Sequence, residues 1–168
     1  MPPRTTAITI DGRITPEEWA GAAVTTGFAG IDTKLAAPTQ TTVRLLYDDK
    51  AFYAAFTSPL PDKVKQNPDM TVGMTGTLSQ TRDRFDTDVD HDDAVEINVM
   101  PDYPDGTWYR LLTNGLNTHY DYAISADNNI MLGWNPEWES ASTLDSDGWR
   151  VEIRLPYTGF GATPPSPG

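Results

Sequence analysis

Short runs of strand-forming residues, each followed by a turn signal, most restrict the fold that this chain can adopt. Within residues 94–100, three branched apolar side chains stand at alternate positions. Successive side chains of a strand point to opposite faces, so this run predicts a strand with one face in the core. The other face then carries Glu96, Asn98 and Met100. A chain built from such runs buries its apolar side chains by stacking sheets.

Three pairs of these runs are predicted to form hairpins. The turns between them are Asp48-Asp49-Lys50, Asn114-Gly115 and Asp147-Gly148, residue types that favour tight reversals. The predicted strands cover residues 8–10, 41–47, 52–56, 94–100, 108–113, 119–124, 138–142 and 149–155. Strands at this spacing predict an all-β fold, an antiparallel, jelly-roll-like β-sandwich.

One short N-terminal helix is predicted over residues 15–21. Thr15 suits the N-cap, Pro16 the first helical position and Glu18 the reciprocal capping position. The length of 168 residues fits a single domain, which we assign to residues 1–161. Residues 162–168 are rich in proline, and we interpret them as a linker or as the start of a missing final strand.

The net charge of −12 argues against nucleic acid and anionic membranes as partners. No run approaches the roughly 20 apolar residues of a membrane-spanning helix. No apolar signal segment precedes the first strand-like run, so an exported form would already have lost its signal peptide. The absence of cysteine excludes disulfide bonds and thiolate metal sites.

An acidic run at residues 86–93 is the densest chemical feature of the sequence. Its five carboxylates belong to Asp86, Asp88, Asp90, Asp92 and Asp93. Carboxylates so close together repel one another unless water or a cation separates them, and calcium takes about six to eight oxygen ligands. We therefore predict a structural calcium ion as cofactor, with Asp121 as a further ligand. The alternative is a solvated acidic loop, because the EF-hand pattern is incomplete.

The five tryptophans fall into two groups. Trp19 and Trp149 lie inside regular elements and are predicted to be core residues. Trp108, Trp134 and Trp138 lie at strand ends or in turns, where an exposed indole is a stacking platform for the apolar face of a sugar ring. The alternative for these three is that they pack beneath loops.

Glu96 and Arg110 are candidates for polar ligand contacts. Glu96 shares its strand face with Asn98, while Arg110 shares the face of a later strand with Asn114. A carboxylate, a guanidinium and an amide offer paired donors and acceptors that suit a sugar diol. The alternative is a structural salt bridge between Glu96 and Arg110.

No catalytic machinery is visible, and we expect a protein that is not an enzyme. Without cysteine a thiol mechanism is impossible. The two histidines, His91 and His119, have no nucleophile motif and no metal-ligand spacing around them.

The chain resembles the family-9 carbohydrate-binding modules and their wider sandwich superfamily. The resemblance rests on an ordered set of short motifs between about residue 8 and about residue 160. They are Ile10-Asp11-Gly12, Thr15-Pro16-Glu17-Glu18-Trp19, residues 43–49 with Phe52-Tyr53, residues 92–97, Asn114-Gly115 with Tyr120-Asp121, and residues 147–157.

The resemblance implies a β-sandwich that binds poly- or oligosaccharide, often at chain ends between two aromatic side chains. It also implies structural calcium and attachment to a larger secreted carbohydrate-active protein. It implies polar sugar contacts at Glu96, Arg110 and Asn114, whereas no tryptophan pair matches the family's aromatic sandwich. Relatives usually continue into a last strand that this sequence lacks.

Two other readings stay open. The same superfamily includes haem-binding electron-transfer sandwiches, in which an axial methionine and histidine hold a non-covalent haem b. The candidates here are Met70, Met74, Met100 and Met131 with His91 or His119. A structural module that binds no ligand is the third possibility.

Overall fold

The computed structural model describes residues 7–37, 39–59, 89, 93–101, 103–104 and 106–164. Nine strands lie in this part of the chain, followed by a short 3₁₀ helix at Tyr157–Phe160. The strands are β1 (Ala23–Thr25), β2 (Thr42–Tyr47), β3 (Ala51–Pro59), β4 (Ala94–Val99), β5 (Trp108–Asn114), β6 (His119–Ile124), β7 (Ile130–Met131), β8 (Glu139–Leu144) and β9 (Gly148–Pro156).

These strands form two antiparallel sheets. One has five strands in the order β1-β2-β3-β9-β8, and the other has four in the order β4-β5-β6-β7. The three predicted hairpins are present as the pairs β2–β3, β5–β6 and β8–β9. The predicted all-β sandwich is therefore confirmed.

The main core lies between the two sheets. The five-stranded sheet contributes buried side chains such as Phe56, Ile153 and Leu155, and the four-stranded sheet contributes Val95 and Leu111. Val95, Ile97 and Val99 face this core as predicted, while Glu96 and Asn98 are exposed on the opposite face. The two-residue period of the sequence therefore determines which face of β4 is buried.

A second core covers the other side of the five-stranded sheet. There Trp19 is 4% exposed and packs with Leu46, Tyr53 and Ala55, while Ile10 packs beside this cluster. β3 is consequently covered on both faces, which explains why its sequence is apolar without alternation.

Glu152 ties the N-terminal segment to β9. Its fully buried carboxylate accepts hydrogen bonds from the indole Nε1 of Trp19 at 2.8 Å and from the backbone amides of Asp11 and Gly12 at 3.1 and 2.9 Å. Burial raises the pKa of Glu152, although these three bonds act in the opposite direction. Three of the motifs that carry the family resemblance therefore meet in one structural contact.

The predicted helix at residues 15–21 is wrong beyond its first turn. The capping contacts form, since the amide of Glu18 donates to Thr15 Oγ1 and the Thr15 hydroxyl donates to the Glu18 carboxylate. The amide of Trp19 also donates to the carbonyl of Thr15. The chain then reverses at Gly21, whose φ of 75° ends the helical conformation, and β1 starts two residues later.

The N-terminal run at residues 8–10 is not a strand. Ile8 and Ile10 pack against the Trp19 cluster, and the next two amides bond to Glu152 rather than to a neighbouring strand. In the part of the chain that the structure describes, no helix is long and apolar enough to cross a membrane.

Candidate functional site

The face of the four-stranded sheet that points away from the core is the candidate site, and we call it the outer face. The register aligns its side chains in rows that run across the strands. Trp108 pairs with Ile124, which pairs with Ile130. The next row consists of Asn98, Arg110 and Tyr122, and the row after it of Glu96, Leu112 and Tyr120.

Trp108 is the exposed aromatic side chain of this face. It starts β5 and is 43% exposed, although it belongs to a regular strand. Arg110 follows two residues later on the same face, about 7 Å along the strand. An indole surface open to solvent therefore stands beside a charged group.

The other two tryptophan candidates are not exposed platforms. Trp138 is 8% exposed in the main core, where its Nε1 donates to the carboxylate of Asp121 at 2.9 Å. Its ring stacks on His119, with the centroids 3.7 Å apart. Trp134 is half-buried against Tyr109 and Phe160. Both indoles fill space that the two sheets leave at their ends. This agrees with the alternative given above, in which these tryptophans pack beneath loops.

Trp19 and Trp149 are placed in packed positions, as expected. Trp19 is buried in the second core, and Trp149 is half-buried against the main core while its Nε1 donates to Ser142 Oγ at 2.8 Å.

Glu96 and Arg110 meet on the outer face. Arg110 Nη2 lies 2.6 Å from Glu96 Oε2, and the side-chain amide of Asn98 donates to Glu96 Oε1 at 2.6 Å. Arg110 Nη1 also donates to the hydroxyl of Tyr122, with the guanidinium 5.4 Å from the centre of that ring. The hydrogen bond to Glu96 raises the pKa of Arg110 further, so the guanidinium stays charged.

This cluster is both a structural ion pair and a polar surface. The side chains of Arg110 and Glu96 are 26% and 32% exposed, so each presents part of its polar surface to solvent. The geometry holds donors and acceptors in fixed positions, which reduces the entropy lost when a ligand binds.

Asn114 does not belong to the site. It is fully buried at the end of β5, where its Oδ1 accepts hydrogen bonds from the amides of Leu116 and Thr118. Its amide oxygen therefore stabilises the β5–β6 turn, and its side chain presents no surface to solvent. Asn98 occupies the position beside Glu96 and Arg110 that sequence reasoning assigned to Asn114.

The predicted calcium ligands are described only in part. Asp86, Asp88, Asp90 and Asp92 lie outside the described residues, and Asp93 immediately precedes β4. Asp121 is 2% exposed and faces the main core, where it accepts the hydrogen bond from Trp138. Within the residues that the structure describes, no group of three or more acidic or histidine side chains is placed to hold a metal ion.

A cleft of about 710 Å³ opens at one end of the sandwich, next to the 3₁₀ helix. Its walls are mainly apolar, from Phe52, Ile97, Leu155 and Phe160, and Met100 also lines it. Its polar side chains are a minority of the lining and include Asn98, which also belongs to the outer face, so a ligand there would meet mainly apolar surface.

The described residues do not support a methionine–histidine haem pair. Met100 follows Val99, which pairs with Tyr109 at the start of β5, whereas His119 pairs with Thr113 near the other end. The two positions are about 14 Å apart along the strand. Met131 pairs with Ala123, also far from His119, while Met70, Met74 and His91 lie outside the described residues.

Sequence reasoning missed Tyr120, Tyr122, Ile124 and Ile130 as members of the outer face. The alternation of β6 contained the signal for three of them, because residues 120, 122 and 124 share a face. Polarity indicated the wrong face as outermost, because the core-facing side of β6 carries His119 and Asp121 while the outer side is apolar and aromatic.

Comparison with solved structures finds proteins of similar fold. No family model and no curated protein matches the sequence. A family-9 carbohydrate-binding module from Caldicellulosiruptor kristjanssonii in complex with glucose is similar over 99% of this chain and 71% of its own, with a TM-score of 0.58 and 15% identity. A structure of such a module from the same organism with cellotriose is similar over 90% of this chain and 64% of its own, with a TM-score of 0.52 and 16% identity.

The described sheets thus define an antiparallel β-sandwich whose outer face exposes Trp108, Glu96 and Asn98, while Leu112 and Tyr122 on the same face are buried. Its fold is that of the family-9 carbohydrate-binding modules. At this low identity the likeness concerns the fold and does not transfer site residues.

Proposed function

We propose that this protein is a non-catalytic module that binds poly- or oligosaccharide on its outer face. The observation that carries the proposal is the position of Trp108, an exposed indole on a flat sheet face beside the cluster of Glu96, Asn98 and Arg110. The proteins of similar fold, which are complexes with glucose and cellotriose, support the same ligand class.

The chemistry of a sugar fits this arrangement. A pyranose ring has an apolar face of C–H groups that gains free energy when it covers an indole, and its hydroxyls need donors and acceptors at the rim. Trp108 offers the apolar surface, while the amide of Asn98 lies two residues further along the strands and the carboxylate of Glu96, which binds that amide, lies four residues further.

Replacement of Trp108 by alanine tests the site. We expect Trp108→Ala to weaken sugar binding about tenfold or more, because burial of one large apolar side chain contributes roughly 1.5–3 kcal/mol. A glycan array identifies the ligand, and calorimetric titration measures its Kd. Phe28→Ala is the matched control, since Phe28 is 44% exposed but lies in the loop after β1.

Two results would contradict this location. If Trp108→Ala binds like the parent while Ala162→Phe, which fills the cleft, abolishes binding, the sugar occupies the cleft instead. If the parent binds no glycan on the array, a structural module without ligand becomes the better description. A Soret band in the purified protein would support the haem hypothesis instead.

We further propose that calcium binds the acidic run at residues 86–93 and stabilises the fold. Binding to the native state alone adds about 2.7 kcal/mol at a hundredfold excess over Kd, which raises the Tm by roughly 5–10 °C for a chain of this size. Thermal melts of the parent and of Asp88→Asn/Asp90→Asn, each with calcium and with chelator, measure the effect. An unchanged Tm of the parent in chelator means that the run is only solvated.

The proposal also includes secretion and attachment to a larger carbohydrate-active protein. In that setting, a module without catalytic groups keeps an enzyme close to its polysaccharide and raises the effective concentration of substrate. The check is the mature protein isolated from culture medium, which should contain this module joined to further domains.

A further inference from the structure

We propose that the outer face binds an internal stretch of a linear oligosaccharide, which lies across strands β5, β6 and β7 with consecutive sugar rings on one apolar row. The inference rests on the proposed function and specifies its ligand. It follows from the alignment of exposed apolar side chains across the strands.

The apolar row consists of Trp108, Ile124 and Ile130, which are paired in register across β5, β6 and β7. Trp108 is 43% exposed and Ile130 is 64% exposed, and Leu132, just beyond β7, is 62% exposed. Neighbouring strands lie about 4.8 Å apart, so the row is about 10 Å long and exceeds the width of a single sugar ring. One indole suffices for one ring, and the half-buried Ile124 together with the exposed Ile130 provides apolar surface for the next.

A polar row runs parallel to the apolar row. It consists of Asn98, Arg110 and Tyr122, which are paired in register across β4, β5 and β6. Tyr122 is only 8% exposed and its hydroxyl accepts a hydrogen bond from Arg110, so Asn98 and Arg110 present the polar groups of this row to solvent. The two rows are about 7 Å apart, because they are separated by two residues along each strand. A chain that covers the apolar row with its ring faces therefore directs the hydroxyls of one edge toward the polar row.

At its β7 end, none of the described residues covers the apolar row. β7 is only two residues long, and both Ile130 and Leu132 beside it are largely exposed. Selection of a chain end requires groups that block the path of the next sugar, whereas an open row lets the chain continue. The geometry therefore favours recognition along a chain.

The test measures affinity as a function of chain length. Cello-, xylo- and manno-oligosaccharides of one, three and six sugars are titrated calorimetrically into the intact protein. In the series that binds, we expect the hexasaccharide to bind at least tenfold more tightly than the monosaccharide. Reduction of its terminal sugar to the alditol should change the affinity less than twofold.

Two isoleucine variants connect the length dependence to the row. Ile130→Ser should weaken binding of the hexasaccharide at least threefold and leave binding of the monosaccharide unchanged. Ile31→Ser is the matched control, because Ile31 is 84% exposed but lies between β1 and β2, away from the outer face. It should bind all three lengths like the parent.

The inference is overturned if binding is independent of length, if the alditol fails to bind, or if Ile130→Ser binds the hexasaccharide like the parent. Those outcomes leave the proposed function intact, because a sugar is still bound. If none of the three series binds and Trp108→Ala and Ile130→Ser dissolve a dimer in sedimentation experiments, the row is a protein interface and both proposals fail.

Discussion

Trp138 provides a sharp test of the difference between a packed tryptophan and a binding platform. Its indole is 8% exposed, and its Nε1 donates at 2.9 Å to Asp121, which is itself 2% exposed. Trp138→Phe keeps an aromatic ring in the core and removes this donor. A hydrogen bond to a charged group contributes about 1.5–3 kcal/mol, so we expect a loss of about 2 kcal/mol in the free energy of unfolding.

That loss corresponds to a decrease in Tm of roughly 4–8 °C for a chain of 168 residues. Trp138→Ala would add the cavity left by the ring, about 3–5 kcal/mol more, and this sum approaches the whole stability of many domains. Trp138→Phe is therefore the informative variant. Trp108→Phe is its control, because a largely exposed ring without a buried partner should change the free energy of unfolding by less than about 0.5 kcal/mol.

Urea unfolding and thermal melts of both variants measure the stabilities, and sugar titration measures the binding. Trp138→Phe should bind sugar like the parent in spite of its lower Tm. If it instead melts like the parent and binds sugar weakly, Trp138 lies at the binding surface and the packing argument is wrong.

Two further predictions concern pH and backbone conformation. Burial lowers the pKa of His119 from 6.5 to about 4, so the stability gained from its neutral form is complete above pH 6.5 and is lost as the pH falls toward 4. In urea titrations over this interval, the free energy of unfolding of the parent should fall by roughly 3 kcal/mol relative to that of His119→Gln. Parallel pH profiles of the two proteins would exclude this explanation. Gly12 and Gly21 have similar positive φ values of 80° and 75°. A Cβ at Gly12 would lie 2.6 Å from Thr143 Cγ2, whereas a Cβ at Gly21 would meet nothing within 4 Å. Gly21→Ala should therefore cost only the backbone strain of about 1–2 kcal/mol and Gly12→Ala distinctly more, so equal melting temperatures would contradict the steric argument.

The sequence alone determined the three hairpins and strand β4. The alternation of residues 94–100 and the turn residues Asn114-Gly115 and Asp147-Gly148 are local signals, and β4, β5–β6 and β8–β9 appear where they predict them. Such signals suffice because the period of a strand and the conformation of a tight turn depend on residues close in the chain. The short strands β1 and β7 were missed because two or three residues carry no measurable period.

Part of the candidate site was also visible in the sequence. Glu96, Asn98 and Arg110 were placed on matching faces by alternation, and the structure brings them into contact. The sequence indicated Trp108, Trp134 and Trp138 together, and it offered no means to predict which of the three is exposed. The acidic run remains a prediction, since four of its aspartates lie outside the described residues.

Only the tertiary structure decided which tryptophan is exposed and what each polar side chain contacts. Trp138 and Trp108 both lie at the start of a strand, yet Trp138 points between the sheets toward Asp121 while Trp108 points to solvent. Likewise, Asn114 and Arg110 share a strand face, but the side-chain oxygen of Asn114 accepts a hydrogen bond from the β5–β6 turn. The physical reason is that burial depends on which element covers a face, and contacts between residues distant in the chain determine that covering.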